Sequence, residues 1–488
     1  MSPTIILFTY LLLCGNASSQ ELPLANTNTS TPDASHVDVE ARQGWTSQDN
    51  KRGTLQIIWS CAFTMFLCSW SVLCLNVPGP TDSRFKVFRR KVYITALAFL
   101  GPEFIFQIAL GQFVSARHSV QDFHAAGYTQ WTMMHAFYAD MGGFILHSTD
   151  WVPFPIDAKQ LHYLVTEGYI KFPEIKRARI SDKNKVDGIL RIITVCQILW
   201  FAADMAGRVS QHLAITCGEL TTAAFIVCSL GTTLCWLHKP ADVAIPEIIH
   251  MEARISDILL KAGDLACEPY SRTPLDFISR KEWPWSLYWS NWLNILRNLG
   301  LVVGQQERPI NRFENTRVHE LPGACHYIFF AMTAIYCGIF FCGWNYSFPT
   351  NTELILWRAS VGTILATLVS YWAVTEFAFT IYPVFKRRFS LDSPVTISPK
   401  RAPPEDEATI LRWLISKMRY VAACARNNSY PHDPAMRLPL KAILPLYVIG
   451  VFYCHARTYI FLADIIQLRS LPASAYDTVD WIQALPHF

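Results

Sequence analysis

Apolar runs long enough to cross a bilayer recur along this chain, and clusters of Lys and Arg fall in particular loops between them. Together these facts restrict the fold more than any motif does. A run of about 18 or more apolar residues reads as a transmembrane helix, and loops rich in Lys and Arg stay on the cytoplasmic side. Leu55–Val77, Tyr93–Ala116, Ile189–Gly207, Leu213–Leu237, Cys325–Phe348, Leu354–Tyr382 and Leu440–Ile465 read directly as spans. Basic clusters follow the first span (Arg84, Lys86, Arg89, Arg90, Lys91), fill 171–191, and follow the sixth span (Lys386, Arg387, Arg388). Seven spans put the last two clusters in the lumen. An eighth crossing at Trp131–His147 moves both back to the cytoplasm. That stretch is short: seventeen helical residues reach roughly 25 Å, just under the ~30 Å hydrocarbon core. The expectation is an all-α polytopic transmembrane helical bundle of eight spans with both ends lumenal, or seven if 131–147 does not cross.

Composition agrees. Of 488 residues, 51% are hydrophobic and 16% charged, against about 25% charged in soluble domains. A net charge of +4 gives no reason to expect nucleic acid as a partner. The cysteines form no CxxC pair and read as small buried hydrophobes.

The organisation follows. Residues 1–19 read as a signal peptide, with an apolar Ile5–Leu13 core and small residues Ala17 and Ser19 before the cleavage point. Residues 20–54 form a polar lumenal tail carrying a glycosylation sequon at Asn28. The bundle occupies 55–465, with cytoplasmic loops at 78–92, 150–188, 238–324 and 383–439, and 466–488 is a lumenal C-terminal segment. Within 283–300, Trp285, Trp289, Trp292, Leu296 and Leu299 recur at helical spacing. Such a helix lies in the interface or packs on the bundle. No inverted repeat of the kind common in transporters is visible.

Ionisable residues inside spans cost about 2.5–3.5 kcal/mol each and are functional candidates by default. Here they are Glu103, His135, Asp140, Asp204, Glu219, Arg358, Glu376, His455, Arg457 and Asp464. Several have plain structural readings. Asp204 and Arg208 are four apart on one helix, Arg457 and Asp464 share a face or Arg457 snorkels, and His135 bonds a backbone carbonyl. Glu103 follows Gly101-Pro102, a kink. Asp140 precedes Gly142-Gly143, which permits close approach by a helix or ligand. Glu219 has no cation within one turn of its own helix. The chain contains no GxSxG, GxxxxGK[ST], GxGxxG, DDxxD or HxxHH set. No metal and no nucleotide cofactor is indicated.

The chain resembles a group of fungal multispanning membrane proteins. The matching stretches are Trp45 with Arg52-Gly53-Thr54 and Trp59-Ser60-Cys61; Asn76-Val77-Pro78; His135 with Met141-Gly142-Gly143-Phe144; Lys239-Pro240; Trp344 with Phe348-Pro349; Glu353 with Leu356-Trp357-Arg358; Arg457 with Tyr459; and Pro486-His487-Phe488. In size and span count it also resembles the membrane-bound terpene cyclases of fungal meroterpenoid pathways, of the ascofuranone and macrophorin type. That resemblance implies a cofactor-independent enzyme of secondary metabolism in the endoplasmic reticulum membrane, a lyase or isomerase that cyclises a prenylated lipophilic small molecule. Such chemistry needs a protonated carboxyl group, aromatic faces for the cation and a base for the last proton. Asp140, Glu219 and Glu103 are the acids to expect, with His135 the remaining catalytic candidate. Phe137, Tyr138, Trp200 and Trp344 are the expected wall. A transporter using the same carboxylates as proton relays, or a receptor-like protein with a polar interior site, are the alternatives. Oligomeric state is not readable.

Overall fold

The computed structural model describes residues 42–47, 51–175, 180, 185–279 except 242, 244, 268, 269 and 271, then 290–292, 294, 295, 297, 308–377 except 318, 320 and 322, and finally 381, 408–428 and 440–481. The signal segment 1–19, Asn28, Lys386–Arg388, most of 176–184 and 482–488 lie outside the described residues.

In chain order, β1 (Arg42–Gln43) precedes α1 (Thr54–Trp70), α2 (Arg84–Leu100) and α3 (Pro102–Ala125). Next come α4 (Met133–Asp140), β2 (Phe144–His147), β3 (Phe154–Ile156) and α5 (Ala158–Thr166), then α6 (Lys185–Ser210) and α7 (Cys217–Cys235). They are followed by β4 (Glu247–His250), α8 (Ile255–Ala262) and α9 (Asp276–Ser279). The chain continues through α10 (Gly323–Phe341), α11 (Asn351–Glu376), α12 (Ala408–Arg426) and α13 (Leu440–Ile466). It closes with β5 (Leu471–Pro472), which pairs antiparallel with β1.

The protein is mostly helical. Among the described residues, five helices are long and apolar enough to cross a membrane: Ile189–Ser210, Cys217–Cys235, Gly323–Phe341, Asn351–Val374 and Leu444–Arg469. α1 is a shorter apolar helix of 17 residues. Two expected spans differ.

Trp131–His147 is not one helix. It divides into the eight-residue α4 and the strand β2. β2 is the centre of a three-stranded sheet of order β3-β2-β4, antiparallel to β3 and parallel to β4. The break falls at Gly142, whose φ of +82° suits glycine. Trp131, Phe137, Tyr138, Phe144 and Leu146 are all buried. The stretch is apolar because it is the core of a lobe. A buried core segment and a marginal span have the same composition, and periodicity does not separate them.

Tyr93–Ala116 is not one helix either. Gly101 ends α2 and Pro102 starts α3, so the two axes meet at 113°. Proline lacks the N–H that would continue the ladder and is well placed at the first helical position. Contacts with α7 mark how deep each part lies. Phe99, at the end of α2, meets Phe225 in the middle of α7 at 5.7 Å between ring centroids. Phe106 lies against Gly231. Gln112 accepts from the indole of Trp236, just past α7, at 3.0 Å. α3 therefore travels beside α7 from mid-depth toward the end of α7. The start of α2 lies near the last residue of α1, with Phe88 at 6.0 Å and Lys91 Nζ at 4.9 Å from the Trp70 ring.

The lobe gathers α4, α5, β2–β4, α8 and α9 on α3. Ser115, on α3, donates to Asp140 of the lobe at 2.8 Å. Gly111 permits the backbone at His319 to cross α3, because a Cβ there would stand 3.1 Å from the His319 carbonyl oxygen. Of the amphipathic 283–300 segment only a few residues are described. Asn291 and Asn294 are buried, and Asn291 accepts from Tyr447 of α13 at 2.5 Å. Trp292 stands edge-on to Tyr447 at 5.1 Å. These residues pack on the bundle rather than along an open surface.

Candidate functional site

The three candidate acids occupy three separate environments. Glu219 is the third residue of α7, and Thr216-x-x-Glu219 is a capping box. Its Oε2 accepts from the Thr216 amide at 2.8 Å and hydroxyl at 2.9 Å, while Arg52 donates to Oε1. Arg208 Nε stands 3.9 Å away. Arg208 itself donates to the carbonyls of Ala214, Ser474, Ala475 and Asp477. Both carboxylate oxygens are satisfied, and the cation missing from the α7 helix comes from the segment before α1. The expected Asp204–Arg208 pair gives way to these carbonyls.

Asp140 closes α4 and belongs to the lobe. It accepts from Ser115 at 2.8 Å and from the Ala158 amide, the first of α5, at 3.1 Å. Burial, and then the charge of Asp157, raise its pKa to about 6. Lys239, also in the lobe, bonds Gln112, one turn of α3 before Ser115, at 2.8 Å. Burial lowers its pKa to about 8. Asp140 and Lys239 thus fasten the lobe to adjacent turns of α3. His135 holds the α4 cap, taking the Thr132 amide on Nδ1 at 3.2 Å with Nε2 on the Ile175 carbonyl at 2.8 Å, the plain structural role.

Glu103 is different. It lies in the first turn of α3, just past the break, fully buried. Tyr453 of α13 donates to its Oε1. Its Oε2 is buried with no hydrogen-bond partner, and so are Nη1 of Arg457 and the hydroxyl of Tyr336. Arg457, one turn after Tyr453, turns inward rather than snorkelling. Its guanidinium donates to the carbonyls of Leu100 at 3.1 Å and Phe99 at 3.4 Å. The break left these two carbonyls without a following helical N–H. Four ring faces surround the cation: Phe461 at 4.7 Å, Phe225 and Phe340 at 5.6 Å, and Tyr336 at 5.8 Å. Among the described residues no carboxylate lies within ion-pair distance of Arg457. Asp464 instead takes the Thr221 hydroxyl at 3.0 Å.

Next to Glu103 in the chain, half-buried Phe104 is one of the residues lining an apolar crevice between α10 and α11. The crevice is shallow and open to the outside, with a cavity volume of about 50 Å³, and is lined by Phe329, Thr333, Cys337, Leu368 and Trp372 among others. Phe104 also stands edge-on to Tyr453 at 5.5 Å.

None of the four expected wall aromatics is here. Phe137 and Tyr138 are lobe core. Trp200 is 61% exposed and stacks on Trp481 at 5.6 Å. Trp344 carries Arg358 over its ring at 5.4 Å. The side chain of Glu376 lies outside the described residues, and His455 is exposed, bonding Val451 within its own helix. The aromatics that matter, Phe225, Tyr336, Phe340, Tyr453 and Phe461, were missed. One signal pointed to them: Tyr453, Arg457, Phe461 and Asp464 recur on one face of the last span. Among the described residues no group of His, Cys, Asp and Glu is arranged to hold a metal.

The matched segment of the chain is residues 28–267. Over it the chain is similar to a family of unknown function, DUF8562. The segment includes Glu103, Asp140 and Glu219 but ends before Tyr336, Tyr453 and Arg457. No curated protein and no solved structure matches the chain.

Proposed function

We propose that this chain is a membrane-embedded, cyclase-like enzyme that acts on a prenylated lipophilic molecule, with Glu103 as the proton donor. The observation that carries this reading is the unpartnered Oε2 of buried Glu103, one residue before Phe104, which helps line an apolar crevice. A buried carboxyl oxygen without a partner is costly unless it carries a proton or serves chemistry. Arg457 does not require Glu103 as its counter-ion, because two carbonyls and four ring faces hold it. In the proposed step the substrate enters laterally between α10 and α11. The proton on Glu103 Oε2 passes to a terminal alkene or epoxide, the ring closes on the resulting cation, and the cyclised cation loses one proton, which the Glu103 carboxylate takes back to restore the acid. Tyr453 orients the carboxyl group through Oε1. The product is an isomer of the substrate.

The same reading fixes a membrane topology. We propose six crossings, α1, α6, α7, α10, α11 and α13, with α2 and α3 as a hairpin that enters and leaves on one side. The depth contacts support this: α2 begins beside Trp70, reaches Phe225, and α3 returns to Trp236. The basic clusters at 84–91, 171–191 and 386–388 then share the cytoplasmic side. Removing two crossings keeps the parity that an eighth span at 131–147 was meant to restore.

The test is to express the protein with prenylated phenols, as alkene and as epoxide, and search for cyclised isomers of unchanged mass. Glu103→Gln should abolish most turnover while the protein still inserts. Full turnover from Glu103→Gln would overturn the assignment. Proton-coupled uptake of a solute by reconstituted vesicles, without isomer formation, would replace the enzyme with a transporter.

A further inference from the structure

The site described above leaves α12 unused. The helix spans Ala408–Arg426, about 28 Å at 1.5 Å per residue. At about 100° per residue, Leu414, Ile415, Met418, Val421 and Ala422 fall on one arc. Arg419 borders one edge of that arc and Lys417 the other, and the helix contains no Asp or Glu. Much of its apolar arc is open: Leu414 is 43%, Met418 62% and Val421 62% exposed, while Ile415 and Ala422 are half-buried. The helix also makes contact with α13. Lys417 Nζ lies over the exposed Trp413 ring at 4.9 Å.

We propose that α12 lies flat on the bilayer surface and docks onto anionic lipid head groups. Two features select this occupant. The helix packs against α13, which is apolar and long enough to cross a membrane, so α12 lies near the same bilayer. Cations on both edges, with no acid among them, complement a negatively charged leaflet rather than a neutral one or a protein groove. This inference is independent of the chemistry assigned to Glu103.

The experiment is hydrogen–deuterium exchange of the full-length protein in nanodiscs of phosphatidylcholine alone and with about one-third phosphatidylserine. The amides of 412–424 should exchange about tenfold more slowly in the anionic discs, and raised salt should reduce that difference. The double variant Lys417→Glu/Arg419→Glu should lose it while α13 keeps its protection. Equal exchange in the two lipids overturns the proposal. So does protection that rises with protein concentration whatever the lipid, which would assign the face to a second copy of the chain.

Discussion

Glu219 and Glu103 are both fully buried carboxyl groups in helix first turns, and each has a fully buried arginine nearby. Their surroundings differ in how many donors they meet. Glu219 takes an amide, a hydroxyl and a guanidinium, so neither oxygen is spare. Glu103 takes the Tyr453 phenol on Oε1, while Oε2 has no well-formed hydrogen bond, with the Tyr336 hydroxyl and its own backbone amide close by. A buried charge is tolerated when every lone pair is answered; a saturated group is held in place and has no capacity left for chemistry. Counting donors therefore separates Glu219 from Glu103 where residue type and burial do not, and it groups Asp464, whose Oδ2 is also without a hydrogen bond, with Glu103.

The largest effect should come from the unsaturated member. Glu103→Gln keeps the shape and is expected to lower turnover by about 10²–10⁴-fold, measured as isomer formed per enzyme, with little change in unfolding temperature. The saturated member should respond the other way. Arg52→Met leaves Glu219 without its direct cation and should destabilise by roughly 3–5 kcal/mol, read from thermal unfolding in detergent. If Arg52→Met proves neutral and Glu103→Gln unfolds the protein, the contrast is inverted and Glu103 is the structural one.

A smaller effect concerns the lobe. Asp140 has its pKa raised from 3.8 to about 6, so folding disfavours its charged form; the burden is absent below pH 3.8 and complete above about 6. Lys239 has its pKa lowered from 10.5 to about 8, so its burden is complete below about 8 and absent above 10.5. The attachment of lobe to α3 should be weakest between about pH 6 and 8 and strengthen on either side, by at most roughly 3 kcal/mol for each group. Amide exchange of β2 against pH measures this, and Asp140→Asn should flatten the acid limb. The smallest effect is steric. Gly231→Ala places a Cβ 2.8 Å from Phe106 and the Met332 methyl group and should cost about 1–3 kcal/mol, read from the unfolding temperature.

Much of this was legible. Gly101-Pro102 announced the break, and the charged loops announced that some span count was wrong. The repair was misplaced because Trp131–His147 is as apolar as a marginal span, and only the partner strand β4, a hundred residues later, reveals it as a core. Glu219 looked unpaired because pairing was sought along one helix; Arg52 is far away in sequence. The Thr216-x-x-Glu219 spacing did carry the capping signal. Arg457 was legible as an intramembrane cation but not in its direction, since nothing in its own helix shows that two open carbonyls await it at Phe99 and Leu100.

That last contact has a consequence for how the protein is made. The carbonyls opened by the break are translated some 350 residues before the arginine that closes them. At about 5–20 residues per second, the nascent hairpin waits roughly twenty to seventy seconds for its final partner. Until the last helix emerges from the ribosome, the early helices form an unfinished socket, and a chain that stops before Leu440 never receives its plug. The same late segment also brings β5 to β1 and the Ser474, Ala475 and Asp477 carbonyls to Arg208, so several early elements are completed only at the end of translation.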